Sequence, residues 1–426
     1  MILDNSLKFA KFYNYVNNIL IILGVVFIFT KINVLGIFTV GILVNTIVLA
    51  LFNYKQVIDI VFKDYKRVIL FLIYPVFLYI MNIVHGDDKS LLFEIWAILL
   101  ILPLTTVCLR ELYKVKLNYL YYAFILAGLI LTVRVIIYLF LNQSCRFYYI
   151  TPYNTIHSGL LLAIYCVICV YLFISFLNIK KYMQCLLLFI LFIVSLVSLL
   201  AVASKGPIIA FFIMLLILII LRLNIKKCFI VLFFLAIIFL SGYFIINKYA
   251  QHKFEIDRFN QVVNIEQQYD SKADTSTGIR LQLYKVGVKS FIQSPIVGLS
   301  YADITKLEDK MIKEGEIKPF VKTYFHFHDD LLNSLGHYGI LGGIGIIIFW
   351  IMLFRFYPRS NYIDEKININ VKYIMFIIFG TFILSSFTDA YFFGSTRPAM
   401  ILVFVCSIVY SMKFDTNQKL YNEDKL

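Results

Sequence analysis

The sequence predicts an all-α polytopic membrane protein, on three observations: its composition, apolar runs that recur at the length of a bilayer span, and the sidedness of its basic residues. Of its 426 residues, 61% are hydrophobic and only 15% charged, with a mean hydropathy of +0.85. Water-soluble domains do not have this composition. Runs of roughly 18 to 22 apolar residues, enough to cross a ~30 Å hydrocarbon core as a helix, recur along nearly the whole chain.

Runs bounded by polar turns give about twelve spans. They lie near residues 15–31, 33–53, 68–84, 91–109, 119–141, 158–178, 184–203, 206–222, 228–246, 338–354, 371–388 and 393–412. The first follows Lys8 and Lys11 and has no small-residue cleavage site after it, so it reads as a retained helix rather than a removed signal peptide.

Charge tests the count. Alternate loops carry Lys55, Lys63, Lys66 and Arg67, then Arg110, Lys114 and Lys116, then Lys180 and Lys181, then Arg222, Lys226 and Lys227, then Arg355 and Arg359. The intervening short loops hold about one basic residue each, as Lys31, Lys89, Arg146, Lys205 and Arg397, which is the asymmetry of the positive-inside rule. The rule places both termini in the cytoplasm. The net charge of +14 follows from this asymmetry and from contact with anionic lipid; it does not call for a nucleic-acid partner. Six of the seven cysteines (Cys108, Cys166, Cys169, Cys185, Cys228, Cys406) fall in or at the ends of apolar spans, and only Cys145 reads as external. No intramolecular disulfide framework is expected.

The expected layout is residues 1–246 for spans one to nine, 247–337 for a large external loop, 338–412 for spans ten to twelve and 413–426 for a cytoplasmic tail. A loop of roughly ninety residues between membrane helices is uncommon unless it is functional. Arg280, His326, His328, Asp329, Asp330 and His337 all lie in it, and the active site is expected there.

Within the loop, Thr275, Ser276 and Thr277 are candidate N-caps of a helix with apolar Ile279, Leu283 and Val286 at helical spacing and Pro295 as its stop. Arg280 is expected in its first turn, where a cation is disfavoured by the helix dipole unless an anion is close. A helix N-terminus with an Arg makes a phosphate clamp. The alternative is an exposed Arg paired with Asp274 or a lipid headgroup. Further on, His328 and Asp329 immediately precede an apolar helix that runs into the tenth span. A neutral imidazole at the membrane surface can take the proton of an alcohol nucleophile. A zinc site from His326, His328 and His337 matches no common ligand spacing, so no metal and no cofactor are expected.

Outside these motifs, Arg134 lies inside the fifth span, either facing a cavity or snorkelling to the interface. His85, Asp87 and Asp88 read as a solvated external turn, and Asp389 and Arg397 flank the last external turn as a possible pair.

Four of these segments together resemble the O-antigen ligase and O-antigen polymerase superfamily. His328 through Leu332 to Gly339 and Gly342 resembles its His-x-x-x-Leu and Gly-x-x-Gly signature. Arg280 to Gly298, with Tyr284 and Pro295, looks like its Arg, aromatic, Ser-Pro-x-x-Gly block. Ala203-Ser204-Lys205-Gly206 is similar to its Ser-Arg-Gly turn, and Pro152-Tyr153-Asn154 to its Pro-Asn turn before a helix. Order and topology fit as well, over roughly residues 140–412.

The resemblance implies a glycosyltransferase C-like, metal-independent enzyme of the bacterial inner membrane, with the large loop on the periplasmic side. It uses an undecaprenyl-pyrophosphate-linked glycan as donor. His328 carries over as the residue that activates the acceptor hydroxyl, and Arg280 as its catalytic companion. Arg146, Lys205 and Arg397 are the outward-facing cations for the pyrophosphate, with Asp329 and Tyr284 at the substrate. Lys205 stands where the family usually has Arg, exchanging a bidentate fork for a point charge. Asp329 stands where Asn commonly follows the His, and a carboxylate there could raise the basicity of His328. Ligase and polymerase differ in acceptor, lipid A core for one and a second lipid-linked repeat for the other. The loop ending His-Asp-Asp-Leu-Leu with Asp389 and Arg397 favours the ligase. A flippase of lipid-linked sugar would require internal repeats and broken helices, and no repeat is detectable.

Overall fold

The computed structural model describes residues 2–30, 34–52, 54–63, 65–87, 95, 97–103, 105, 115–140, 154–222, 274–355, 363–364, 369–393 and 396–413. Arg146, Pro152, Tyr153, Cys108, Cys145, Cys228, the ninth expected span, most of the fourth and the first part of the long loop lie outside the described residues.

The described helices are α1 (Ile2–Val26), α2 (Val34–Phe52), α3 (Tyr54–Lys63), α4 (Tyr65–His85), α5 (Leu117–Phe140), α6 (Thr155–Asn178), α7 (Tyr182–Val202), α8 (Lys205–Arg222), α9 (Ser276–Gln293), α10 (Tyr301–Lys313), α11 (Asp330–Arg355), α12 (Val371–Ser386) and α13 (Thr396–Ser411). Short strands β1 (Val115–Lys116) and β4 (Met412–Lys413) pair in parallel, and β2 (Ile363–Asp364) pairs with β3 (Ile369–Asn370) as an antiparallel ribbon. Six of these helices, α4 to α8 and α11, are long and apolar enough to cross a membrane, or seven if a bent pair around α2 and α3 is one span. The chain is an all-α polytopic membrane protein.

α6 is the central helix, buried along nearly its whole length between α7, α8 and α12. Its start is fixed by Asn154, whose side chain accepts the His157 N–H at 2.9 Å, as an N-cap should. Cys166, Cys169, Cys185 and Cys406 are buried free thiols.

α12 and α13 have 16 residues each, a rise of roughly 24 Å against a ~30 Å hydrocarbon core. The turn that joins them is therefore set down into the bundle. Asp389 to Phe393 are buried, and the Phe392 ring packs on Phe349 of α11 and Tyr74 of α4 at centroid distances of 5.5 and 6.5 Å.

Residues 274–329 form a small helical unit with its own core of Leu283, Val286, Ile304, Met311, Ile317, Val321 and Phe327. Thr275 caps α9 by accepting the Gly278 N–H at 3.1 Å, and α9 ends at Gln293 before Pro295. Ion pairs from Lys285 (3.1 Å) and Lys289 (2.6 Å) to Glu316 tie α9 to the segment after α10. The end of α4 holds this unit as well. Asp87 is buried and its Oδ1 accepts the Tyr301 N–H at 3.0 Å, satisfying a donor at the start of α10. The solvated turn expected at His85 and Asp87 is thus a packed joint: an apolar neighbourhood closes over Asp87 because its carboxylate has a backbone donor to bind.

α11 is broken at Gly339, whose φ of 63° and ψ of −160° lie outside the helical region. The tenth span expected at 338–354 is the part beyond this break, and a second helical segment, from Asp330, precedes it. The turn after α9 fills the break: Ile340 N–H donates to Pro295 O at 2.8 Å, and Leu299 N–H donates to Gly336 O at 3.0 Å. The Ser-Pro-x-x-Gly and Gly-x-x-Gly blocks of the sequence are thus two halves of one joint. A Cβ at Gly339 would meet the Ile296 backbone, and one at Gly298, with φ of 72°, would meet the backbone of His337. Gly339→Ala is expected to cost roughly 2–4 kcal/mol, read as a lower melting temperature in detergent; an unchanged melting temperature would show that the break is not a fixed joint.

Candidate active site

The turn before α11 is held in a strained shape. His328 has φ of 54°, a left-handed conformation that costs a non-glycine residue about 1–2 kcal/mol. Two hydrogen bonds from the buried Asn333 keep it there: Oδ1 accepts Phe327 N–H at 2.8 Å and Nδ2 donates to Asp329 O at 2.7 Å. Asp329 caps α11, its Oδ1 accepting the Leu332 N–H at 2.8 Å. Burial pushes its carboxyl up to about 6, against backbone hydrogen bonds that pull the other way.

This strained turn aims the imidazole of His328 at the recessed α12–α13 turn, where its Nδ1 is 2.7 Å from Asp389 Oδ1. Asp389, rather than the sequence neighbour Asp329, is the carboxylate that meets the imidazole of His328. Burial would raise the Asp389 carboxyl, but the hydrogen bond and charge of His328, with Arg280 behind them, hold it below the usual carboxylate range. An ionised carboxylate on Nδ1 fixes the tautomer with a proton on that nitrogen and leaves Nε2 as the acceptor. Tyr284 OH lies 3.4 Å from both His328 O and Phe387 O, spanning the two turns. Burial, reinforced by Asp329, pushes its hydroxyl up to about 12, so it stays a donor at neutral pH.

Two cations stand beside the pair. Lys205, first residue of α8, reaches α9 with Nζ 2.6 Å from Thr277 Oγ1. Gly206 beside it lies directly against Thr388, so the Ser-Lys-Gly turn abuts the α12–α13 turn. Arg280 sits one turn further into α9 than its expected first-turn place, with Nη1 2.9 Å from Ser276 Oγ four residues earlier. Its Nε is buried and has no hydrogen-bond partner. Asp274, its alternative partner in sequence, is taken by Lys318 at 3.1 Å. Arg397 is exposed in the first turn of α13 and interacts electrostatically with His157 at the start of α6. Arg146 lies outside the described residues.

The three loop histidines separate. The rings of His326 and His328 meet edge-on with centroids 4.4 Å apart, whereas His337 is buried against Tyr301 and Phe327 at 4.2 and 5.2 Å. Burial, with His328 adding to it, lowers His326 to about 4, so it is a neutral neighbour. Among the described residues, no group of three His, Cys, Asp or Glu side chains is placed to hold a metal ion.

The structure brings together His328, Arg280, Lys205 and Tyr284, which the sequence reading named, and adds the contacts of Asp389 and Asn333 with the His328 turn, which it did not foresee. Asp389 is 61 residues from His328, and its only local signal is an acid in an external turn. Asn333→Ala would leave the buried Phe327 N–H unpaired, at about 1–3 kcal/mol, and the Asp329 carbonyl with only its backbone bond from the residue-333 N–H. It is expected to lower the melting temperature and to reduce activity further by releasing the His328 backbone. Wild-type stability and activity together would show that the turn holds itself.

An oriented imidazole, a phenol donor and two cations thus meet beside the membrane helices, a set of groups suited to proton transfer and to holding an anion. Residues 190–347 match the O-antigen ligase family, a match that supports a place in the O-antigen ligase and polymerase superfamily, whose members are glycosyltransferase-like enzymes. It is an integral protein of the bacterial inner membrane. The matched segment takes in Lys205, Arg280, Tyr284 and His328, and ends before Asp389 and Arg397. No curated protein matches the chain.

Proposed function

We propose that the protein transfers an undecaprenyl-pyrophosphate-linked glycan to a hydroxyl of the lipid A core on the periplasmic face, without a metal, as an O-antigen ligase does. The observation that carries this reading is the His328–Asp389 pair at 2.7 Å with Arg280 and Lys205 beside it. His328 Nε2 takes the proton of the acceptor hydroxyl as its oxygen attacks the anomeric carbon, and Asp389 stabilises the imidazolium that forms. The bond from the anomeric carbon to the phosphate oxygen breaks on the opposite face, with inversion. The leaving undecaprenyl pyrophosphate gathers negative charge, which Arg280 and Lys205 offset in a site poor in water. The buried, unpartnered Nε of Arg280 supports its role as a phosphate donor. Arg146 and Arg397 are the further cations for the pyrophosphate, and Asp329 and Tyr284 line the acceptor side.

The arrangement of about twelve spans, both termini cytoplasmic and residues 247–337 as the periplasmic catalytic loop is part of this reading. It is tested in cells lacking the protein, with surface polysaccharide and lipid-linked intermediates resolved by length. Long chains accumulating on the undecaprenyl carrier are expected for a ligase. Single repeats capping the core would identify a polymerase instead, and unchanged glycans would overturn both.

A further inference from the structure

Within residues 274–329 the solvent-facing side chains are sorted by polarity. The outward face of α10 carries Lys306, Asp309, Lys310 and Lys313. The second half of α9 and the turn after it instead expose Val288 (47%), Ile292 (69%), Ile296 (65%) and Val297 (45%). Val288 and Ile292 are four residues apart and share a helix face, while the charges of α9 at Lys285 and Lys289 are drawn to Glu316. A soluble surface does not concentrate apolar side chains in this way.

This strip does not end at the turn. The hydrogen bond from Ile340 N–H to Pro295 O sets Ile296 and Val297 against the start of the second segment of α11. There Ile340, Leu341, Ile344, Ile347 and Ile351 are exposed at helical spacing. That stripe lies on a helix long and apolar enough to cross a membrane, and the α9 strip adjoins it, with Gln293 and Ser294 the polar residues between Ile292 and Ile296.

We propose that α9 is an interfacial helix whose second half and following turn are seated among lipid acyl chains of the leaflet nearest the candidate site, with Val288, Ile292, Ile296 and Val297 in contact with hydrocarbon. The occupant of this surface is bilayer lipid: the strip adjoins the exposed apolar stripe of a helix long enough to cross a membrane, and the charged face of α10 is turned to water. Arg280 lies 12 residues before Ile292 on the same helix, about 18 Å along its axis. The anchor therefore fixes the height of the Arg280 end of α9 relative to the membrane, where a lipid pyrophosphate resides.

The test is tryptophan quenching in the full chain reconstituted into phosphatidylcholine vesicles, with or without bromine on the upper acyl chain. Ile292→Trp and Ile296→Trp are compared with Lys310→Trp, each against the background of Trp96 and Trp350. The added emission at 292 and 296 is expected to fall about two- to threefold in brominated lipid, as for interfacial residues, and that at 310 to stay unchanged. Unquenched emission at both 292 and 296, with an Ile347→Trp control on the exposed stripe of α11 quenched, would overturn the proposal. A second copy of the chain on this face would appear as protection at 292 and 296 that is lost on dilution into excess lipid, and would overturn it too. Neither outcome depends on transfer activity, so the functional reading stands or falls separately.

Discussion

His328→Ala is expected to lower glycan transfer by about a thousandfold while the protein keeps its wild-type level in the membrane. The side chain is mostly buried, at 15% exposure, and meets the rings of Tyr324 and His326, but its turn is held by Asn333 through backbone groups that the substitution leaves in place. On the proposed mechanism, what it removes is the base at the acceptor hydroxyl. Asp389→Asn should lose activity as well, though less, because an amide can still accept from Nδ1 but cannot stabilise the imidazolium. The Asp389 carboxyl is held below its ordinary value of 3.8, so its contribution to stability is complete above that value. It is lost as pH falls through the lowered folded value. At neutral pH the two variants therefore report on chemistry. Full activity in His328→Ala would remove the general-base assignment.

The second large effect is expected at Arg280. Arg280→Lys keeps the charge and loses the planar fork, including the buried Nε that has no partner in the protein. If that nitrogen serves the pyrophosphate, transfer falls by about a hundredfold or more with protein level unchanged. If the guanidinium only braces α9 through Ser276 Oγ at 2.9 Å, level and transfer fall together. Lys205→Arg is the complementary change, since it restores the fork that this sequence exchanged for a point charge.

The membrane architecture was legible because it rests on properties that need no tertiary information. Apolar runs at span length gave limits near those of α4 to α8, α12 and α13. Both ends of α9 were legible too, since Thr275 and Pro295 act within one turn of the helix start and stop. Contacts between distant segments were not. Nothing local in the sequence says that Asp389 rather than Asp329 faces His328. That depends on two short helices lowering their joining turn into the bundle. The burial of Asp87 likewise depends on α10 arriving with an unpaired backbone N–H. The Gly339 break was marked by a glycine pair, but its partner, the turn at Pro295, lay over forty residues upstream.

The most direct test of the account uses purified protein in vesicles, supplied with an undecaprenyl-pyrophosphate-linked glycan and a lipid A core acceptor, in the presence of a metal chelator. Glycan joined to the acceptor and undecaprenyl pyrophosphate released should appear in equal amounts with wild type, and neither should appear with His328→Ala. Equal release by the two proteins, or transfer that stops when the chelator is added, would contradict it.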